Sequence, residues 1–147
     1  NCENFFDTKD DPNKDDNEYL PDAPTKWDEK KYMNKITKVA QVLDSSVAGA
    51  DLPALAGLVE VENKEVLEDL VSKSQFNQKG YGVLCTTGND DRSIDVGLIY
   101  DKAIFQLIDS KELNATSPDI KDYKTRNILF ATLKTTTGEL FYVFVNH

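Results

Sequence analysis

The sequence has few of the residues on which several common kinds of site depend. It contains a single histidine, His147, and no serine or cysteine in a nucleophile setting, so a Ser-His-Asp type triad is not predicted. The two cysteines, Cys2 and Cys85, lack zinc-like spacing and make no disulfide framework. We expect both to be buried thiols in strands. These absences leave the chemistry to carboxylates, amides and one imidazole.

Long apolar runs and positive charge are also scarce. No stretch approaches the roughly 18 apolar residues of a membrane helix, so no membrane span is predicted. The start, "NCENFFDTKDD", shows no signal peptide, although a removed one is compatible with a chain that lacks an initiator Met, and the compartment stays open. The net charge of −9 disfavours non-specific nucleic-acid binding. It does not exclude a metal-dependent enzyme acting on phosphates, because a cation supplies positive charge locally.

Two helices are predicted from apolar residues at helical spacing within a chain of one domain's length. The first covers "WDEKKYMNKITKVAQVLDS", with Thr25 and Asp28 as a capping pair. The second covers "NKEVLEDLVSK", with Asn63 as its N-cap. The acidic segment 7–25 has no apolar period and is predicted to be a surface loop. The helices should bury Tyr32, Ile36, Val39, Leu43, Val66, Leu67 and Leu70.

The strand-like segments predict one mixed sheet beneath these helices, and therefore an α/β or α+β layered architecture. The first strand runs roughly from Ala56 to Glu60. The later segments are "YGVLCTT", "SIDVGLIY", "AIFQLID", "NILFATLK" and "LFYVFVN".

Two carboxylates near the end of the first strand are candidates for function. Glu60 ends the strand, where open α/β sheets place ligands, and the alternative is a solvated turn residue. Glu62 fits the solvated alternative better, because it precedes a helix N-terminus. His147 marks the point where the last strand leaves the core; a structural and a functional role are both open. We hypothesise that one edge of the sheet brings Asn1, Glu60 and His147 together.

Two further features carry weaker signals. Arg126 immediately precedes a strand and is a candidate phosphate clamp, with a plain surface arginine as the alternative; Arg92 is the second arginine of the chain. The acidic loop is spaced faintly like a calcium loop, but Asp16 stands where that loop needs glycine, so a solvated loop is the better interpretation. Its candidate ligands would be Asp11, Asn13, Asp15, Asn17 and Asp22.

Five motifs in order resemble the endonuclease/exonuclease/phosphatase superfamily, the fold of the DNase I-like phosphodiesterases. "NCENFFD" is similar to its first-strand motif, and "LAGLVEVEN" to the motif whose Glu binds the divalent metal. "RSIDVGLIYDK" resembles the following strand of many bacterial members. "TRNILFATLK" and "FYVFVNH" resemble paired strands that carry an Arg and a His at the active-site rim. The resemblance spans nearly the whole chain.

The resemblance implies a role for four residues. Asn1 matches the Asn that orders the phosphate or metal site, with Asn4 as the less favoured alternative. Glu60 matches the metal-binding Glu, so the implied cofactor is Mg²⁺ or Mn²⁺. Arg126 and His147 match groups that contact the scissile phosphate. Oxygen ligands with water and substrate phosphate would suit such a hard cation.

The resemblance also implies a four-layer α/β/β/α sandwich, of which this chain supplies about the N-terminal half. The family's Asp-x-Asn and Ser-Asp-His motifs do not occur here, so we expect an inactive N-terminal part of a longer, truncated domain. Such a part should self-associate or be held by the missing half. The implied function is phosphoester hydrolysis, with DNA, RNA, phosphoinositides, sphingomyelin and small phosphoesters as open substrates. The alternative is a non-catalytic binding or scaffold module.

Overall fold

A computed structural model describes residues 1–12, 14–46, 49, 52–88, 92–114, 119 and 125–147. Its helices are α1 (Glu29–Ser45) and α2 (Lys64–Ser72). Its strands are β1 (Leu55–Val61), β2 (Tyr81–Cys85), β3 (Asp95–Asp101), β4 (Phe105–Leu113), β5 (Ile128–Thr135) and β6 (Leu140–Val145). Two short 3-10 turns lie at Asn17–Tyr19 and Gln75–Gln78. Neither described helix is long and apolar enough to cross a membrane.

The strands form two antiparallel sheets, and the prediction of one mixed sheet is wrong. The inner sheet has the order β1-β3-β2 and the outer sheet the order β4-β5-β6. In the described residues, parallel pairing is limited to one bridge between Phe5 and Val61. The short connection between β5 and β6 requires these neighbours to be antiparallel, because parallel strands need long crossovers. The predicted α+β layering is nevertheless confirmed.

Both helices pack on one face of the inner sheet, and the outer sheet packs on the other face. The helix-side core contains Tyr32, Ile36, Val66, Leu67 and Leu70, all predicted to be buried. Val39 and Leu43 are only partly buried. Between the sheets lies a second core of Val96, Leu98, Tyr100, Phe105, Leu129, Ala131, Leu133 and Val145. The order helices, inner sheet, outer sheet supplies three layers of the expected sandwich.

Side-chain caps fix where both helices begin. Asn63 accepts a hydrogen bond from the Val66 amide at 2.9 Å, which confirms the predicted cap of α2. The N-cap of α1 is Asp28, which accepts from the Lys31 amide at 2.9 Å. The predicted pairing of Thr25 with Asp28 is wrong, because the Thr25 hydroxyl donates to the Glu18 carbonyl instead.

Candidate active site

The N-terminal segment pairs with the end of β1 and brings Asn1 beside it. The amide of Cys2 donates to the Val59 carbonyl at 2.9 Å, and the amide of Phe5 donates to the Glu60 carbonyl at 2.9 Å. Buried Cys2 and Phe5 anchor this segment in the core. Cys2 is buried as predicted but lies outside the strands, while Cys85 lies in β2 and is half-buried.

Glu60 occupies a bulge in β1 with a left-handed backbone. Its φ is +62°, and the pairing register with β3 shifts between Val59 and Val61. A residue other than glycine in this region costs of order 1 kcal/mol and persists only where surrounding contacts hold it. Here the bulge re-aims the carboxylate out of the regular strand alternation, towards Asn1. The sequence pattern gave no sign of this bulge.

His147 reaches the same place from the outer sheet. β6 ends at Val145, which is buried against β1. A Cβ on Gly57 would lie only 3.2 and 3.3 Å from the Val145 methyl groups, so the missing side chain allows β1 and β6 to approach closely. His147 follows Val145 by two residues, and Glu60 follows Gly57 by three. The close contact therefore sets the spacing of the two side chains.

Asn1, Glu60 and His147 meet in a compact cluster. The Nε2 atom of His147 lies 3.3 Å from Oε1 of Glu60 and 3.3 Å from Nδ2 of Asn1. The Glu3 amide donates to Oδ1 of Asn1 at 2.7 Å, which turns the Asn1 amide group towards the other two side chains. The Glu60 side chain is 12% exposed and that of His147 is 28% exposed, so the cluster remains open to a ligand.

The surroundings of Glu60 favour its anionic form. Partial burial raises the pKa of the carboxyl, but the hydrogen bond from the Asn1 side chain and a backbone hydrogen bond from Asn4 act against burial. The Asn4 amide donates to Oε2 at 3.1 Å. The positive charge of Arg92 and the electrostatic influence of His147 add to these contacts, and the pKa of Glu60 falls below its usual value.

The sequence of the chain matches a known protein family along its whole length. Residues 1–147 match the profile described as the Endonuclease/Exonuclease/phosphatase family. The chain belongs to the endonuclease/exonuclease/phosphatase family. This confirms the resemblance carried by the five motifs. No curated protein matches the sequence.

Solved structures show the same fold at low sequence identity. One is an endonuclease/exonuclease/phosphatase family protein from Bacteroides thetaiotaomicron, with 18% identity and a TM-score of 0.53, covering 74% of this chain and 38% of that one. An endonuclease/exonuclease/phosphatase from Bacteroides vulgatus has 19% identity and a TM-score of 0.51, and the match covers 73% of this chain and 41% of that one. The human Nocturnin catalytic domain with bound sulfate has 18% identity and a TM-score of 0.54, covering 80% and 42%. This chain thus spans less than half of each of these structures.

The family's general dependence on a divalent metal can be tested against these residues. The anionic Glu60 supplies one hard oxygen ligand, and the Asn1 amide oxygen has a second lone pair beyond its hydrogen bond to Glu3. Among the described residues, no group of three or more His, Cys, Asp or Glu side chains could hold a metal ion. Mg²⁺ commonly uses one or two carboxylates, with waters and substrate phosphates completing its octahedron. Glu60 fits such a shared site, and Asn1 would join it by turning its amide oxygen from the Glu3 amide towards the cation.

The two arginines of the chain are held by different segments. Arg126 precedes β5, and its backbone lies beside Gly88. Its predicted role as a phosphate contact in this endonuclease/exonuclease/phosphatase domain stays a prediction. Arg92 donates to Oδ1 of Asn4 at 3.0 Å and lowers the pKa of Glu60. Sequence reasoning missed Arg92, because its partner lies 88 residues away.

Glu62 differs from its prediction as a solvated turn residue. It is 1% exposed, and its carboxylate accepts from the Asp7 amide at 2.8 Å. Burial raises the pKa of Glu62 to about 7. The acidic segment 7–25 is likewise not purely a surface loop, because Asp7 and Asp16 are buried. At the sixth position of the calcium-like spacing, Asp16 accepts from the Asp11 amide at 2.8 Å. Asn13 lies outside the described residues.

Proposed function

We propose that this chain contributes half of a site for divalent-metal-dependent hydrolysis of phosphate esters. The observation that carries the proposal is the convergence of Asn1, Glu60 and His147 within 3.3 Å contacts at the junction of the two sheets. The family is one of phosphoester hydrolases, and the substrate class we infer is therefore a phosphoester, with nucleic acid among the candidates. A single domain that includes all of residues 1–147 would carry the site.

Glu60 and Asn1 are the ligands we propose for Mg²⁺ or Mn²⁺. Glu60 would supply the charged oxygen and Asn1 the amide oxygen. A bound divalent cation polarises the P–O bond and stabilises the leaving oxygen. The backbone amide of Asn4 and the Asn1 side chain keep Glu60 ionised for this task. With so few protein ligands, we expect this chain alone to bind metal weakly.

His147 and Arg126 are proposed to contact the scissile phosphate. The His147 imidazole lies at the open side of the cluster, where it can donate a hydrogen bond to a phosphate oxygen. Arg126 would add a guanidinium, whose geometry suits bidentate phosphate contact. The similar Nocturnin domain holds a bound sulfate, an anion with the tetrahedral oxygen arrangement of phosphate, which supports an anion site in this fold.

We also propose that the 147-residue chain does not turn over by itself. It has one histidine, and the family's two later motifs are absent from its sequence. General-base assistance is worth roughly 10²–10⁴-fold, so a site without a second base should be nearly inert. The alternative function is a non-catalytic module that self-associates through the outer sheet. The exposed side chains of Tyr142 and Phe144 on that sheet favour this alternative.

Replacing Glu60 by glutamine in the full-length protein tests the hydrolase proposal. We expect Glu60→Gln to lower Mg²⁺-dependent hydrolysis of bis-p-nitrophenyl phosphate by at least about 100-fold, since even residues outside the metal's direct ligands commonly cost 10–100-fold. Glu62→Gln is the matched control. It keeps an acceptor for the Asp7 amide and should leave activity intact. Full activity of Glu60→Gln at limiting Mg²⁺ would refute the metal-ligand role. Turnover by the 147-residue chain as a monomer would show that the active site is complete within these residues.

A further inference from the structure

A polar cavity beside the cluster has no role in the chemistry described so far. It has a volume of about 230 Å³ and is lined by Asn4, Phe6, Asp15, Glu18, Tyr19 and Arg92. We propose that it is a subsite for an uncharged sugar ring with vicinal hydroxyls, next to the scissile phosphate of the substrate. The inference rests on the proposed function, because it names the substrate group that the same site would take.

Asn4 joins this cavity to the cluster. Its backbone amide donates to Glu60 Oε2, and its side-chain oxygen accepts from Arg92. The electrostatic influence of Glu60 also reaches the far wall of the cavity. Burial raises the pKa of Tyr19, and the neighbouring carboxylates of Glu18 and Glu60 raise it further, whereas Arg92 lowers it. A group bound in the cavity therefore lies one residue away from a phosphate held at Glu60.

The lining offers both donors and acceptors at the cavity surface. Arg92 supplies N–H donors, while Asp15 and Glu18 are exposed carboxylates that can only accept when ionised. A hydroxyl group both donates and accepts. Two adjacent hydroxyls can therefore donate to carboxylate oxygens and accept from the guanidinium together. Neither a purely donating nor a purely accepting ligand satisfies this mixed lining.

Other ligand classes fit this lining less well. Among the described lining residues, a second phosphate would meet two carboxylates against one guanidinium, in a chain whose net charge is −9. A cationic group would meet Arg92. The aromatic ring that a bound group would meet is Tyr19, which stacks on Phe6 with centroids 4.1 Å apart. In a nucleotide the sugar, and not the base, is bonded to the phosphate, so the sugar is the group that would lie in a cavity adjoining the cluster. A neutral polyol also avoids both charge conflicts.

The size of the cavity points the same way. Pockets for drug-sized ligands are about 300–1,000 Å³, so this volume suits one ring rather than a whole nucleotide. Among phosphoester substrates, ribonucleotides and inositol phosphates carry a ring with vicinal hydroxyls next to the phosphate. DNA and sphingomyelin do not. The proposed subsite would therefore favour ribonucleotides and inositol phosphates over DNA and sphingomyelin.

Nuclear magnetic resonance can measure this subsite without any phosphate or metal. The single tryptophan, Trp27, donates its indole N–H to the Phe6 carbonyl at 3.1 Å and packs edge-on against Tyr19 at 6.0 Å. In the full-length protein the indole signal of Trp27, assigned by its loss in Trp27→Phe, therefore reports on the cavity wall. We expect methyl β-ribofuranoside to shift this signal, and its 2-deoxy analogue to bind about 2- to 12-fold more weakly, which is the effect of one lost hydrogen bond.

Two variants test whether the preference for the riboside over its 2-deoxy analogue arises in the cavity. Arg92→Met removes a donor and Glu18→Gln removes an anionic acceptor, and each should reduce the preference for the riboside. Glu68→Gln, on the exposed face of α2, is the control and should keep it. Failure of the riboside to shift the Trp27 signal at about 50 mM, which would mean a Kd well above 1 mM, would overturn the inference. Equal binding of both glycosides, or a preference that survives in both variants, would do the same.

Further measurements distinguish a ribonucleotide from an inositol phosphate as the substrate. They also distinguish the sugar subsite from the metal-ligand role of Glu60. Stronger binding of the riboside supports a ribonucleotide source, and stronger binding of myo-inositol supports an inositol phosphate source. Because the glycosides carry no phosphate, the subsite is measured even where Glu60→Gln retains full hydrolytic activity. Loss of the metal-ligand role and loss of the sugar subsite are therefore distinguishable outcomes.

Discussion

The central strand of the inner sheet and the last strand of the outer sheet both contain an apolar run that predicts a strand, but they differ in burial. β3, "DVGLIYD", is buried at every position because helices cover one of its faces and the outer sheet covers the other. β6, "LFYVFV", has one buried residue, Val145. An apolar run thus indicates a strand but does not say how many of its faces are covered. The number of layers around the strand decides that.

The candidate site lies where these two unlike sheets meet. The inner sheet holds Glu60 through a bulge and a paired N-terminal segment. The outer sheet holds His147 at the end of an edge strand with an open face. We therefore expect substitutions in the inner sheet to change the stability of the fold, and substitutions where the sheets touch to change the geometry of the site.

The largest expected effect comes from truncating a leucine in the inner sheet. Leu98 is fully buried between the sheets, and Leu98→Ala should lower the free energy of unfolding by about 2–5 kcal/mol. Leu140→Ala deletes the same atoms from the outer sheet, where the side chain is 52% exposed. That change should stay within about 0.5 kcal/mol. Urea unfolding of both variants measures the difference, and equal losses would contradict the contrast between the sheets.

An intermediate effect is expected where the sheets touch. Gly57→Ala forces a methyl group against Val145, and the overpacking should cost about 1–3 kcal/mol. Because His147 follows Val145, hydrolysis by the full-length protein should fall as well. Gly80→Ala is the control, since a Cβ there meets nothing within 4 Å. The double variant Gly57→Ala/Val145→Ala should cost less than the sum of the single changes. If the free-energy costs of the two single changes add exactly, the contact between Gly57 and Val145 does not determine how closely β1 and β6 approach.

Local patterns predicted much of this architecture from the sequence. The apolar spacing of α1 and α2 indicated which faces are buried, and the cap at Asn63 is a local hydrogen bond. The position of Glu60 at the end of an apolar strand also marked it as a candidate. Each of these signals lies within a few residues of the chain, where periodicity and capping rules apply.

Contacts between distant residues could not be predicted in the same way. Glu62 is buried because its carboxylate binds an amide 55 residues earlier, and nothing near it in the sequence indicates that partner. The positive φ of Glu60 arises from pairing with a segment that begins the chain. The contact of Arg92 with Asn4 is also long-range. The division of the strands between two sheets also depends on contacts between distant residues, because the apolar pattern of a strand does not specify the strand with which it pairs.

The smallest effect on stability is expected on the open face of the outer sheet, where Phe130 stacks with Tyr142 and packs against Phe144. Tyr142 and Phe144 are 63% and 56% exposed, and contiguous apolar surface of this kind commonly marks an interaction site. We therefore expect the 147-residue chain to self-associate in sedimentation velocity experiments. The variant Tyr142→Ser/Phe144→Ser should be monomeric and lose about 1 kcal/mol, because it removes two exposed cross-strand aromatic contacts worth roughly 0.2–1 kcal/mol each. Val42→Ser removes an exposed apolar side chain from α1 and should leave association unchanged. A wild-type chain that stays monomeric at high concentration would show that water covers this face, and the alternative function as a self-associating module would then lose its support.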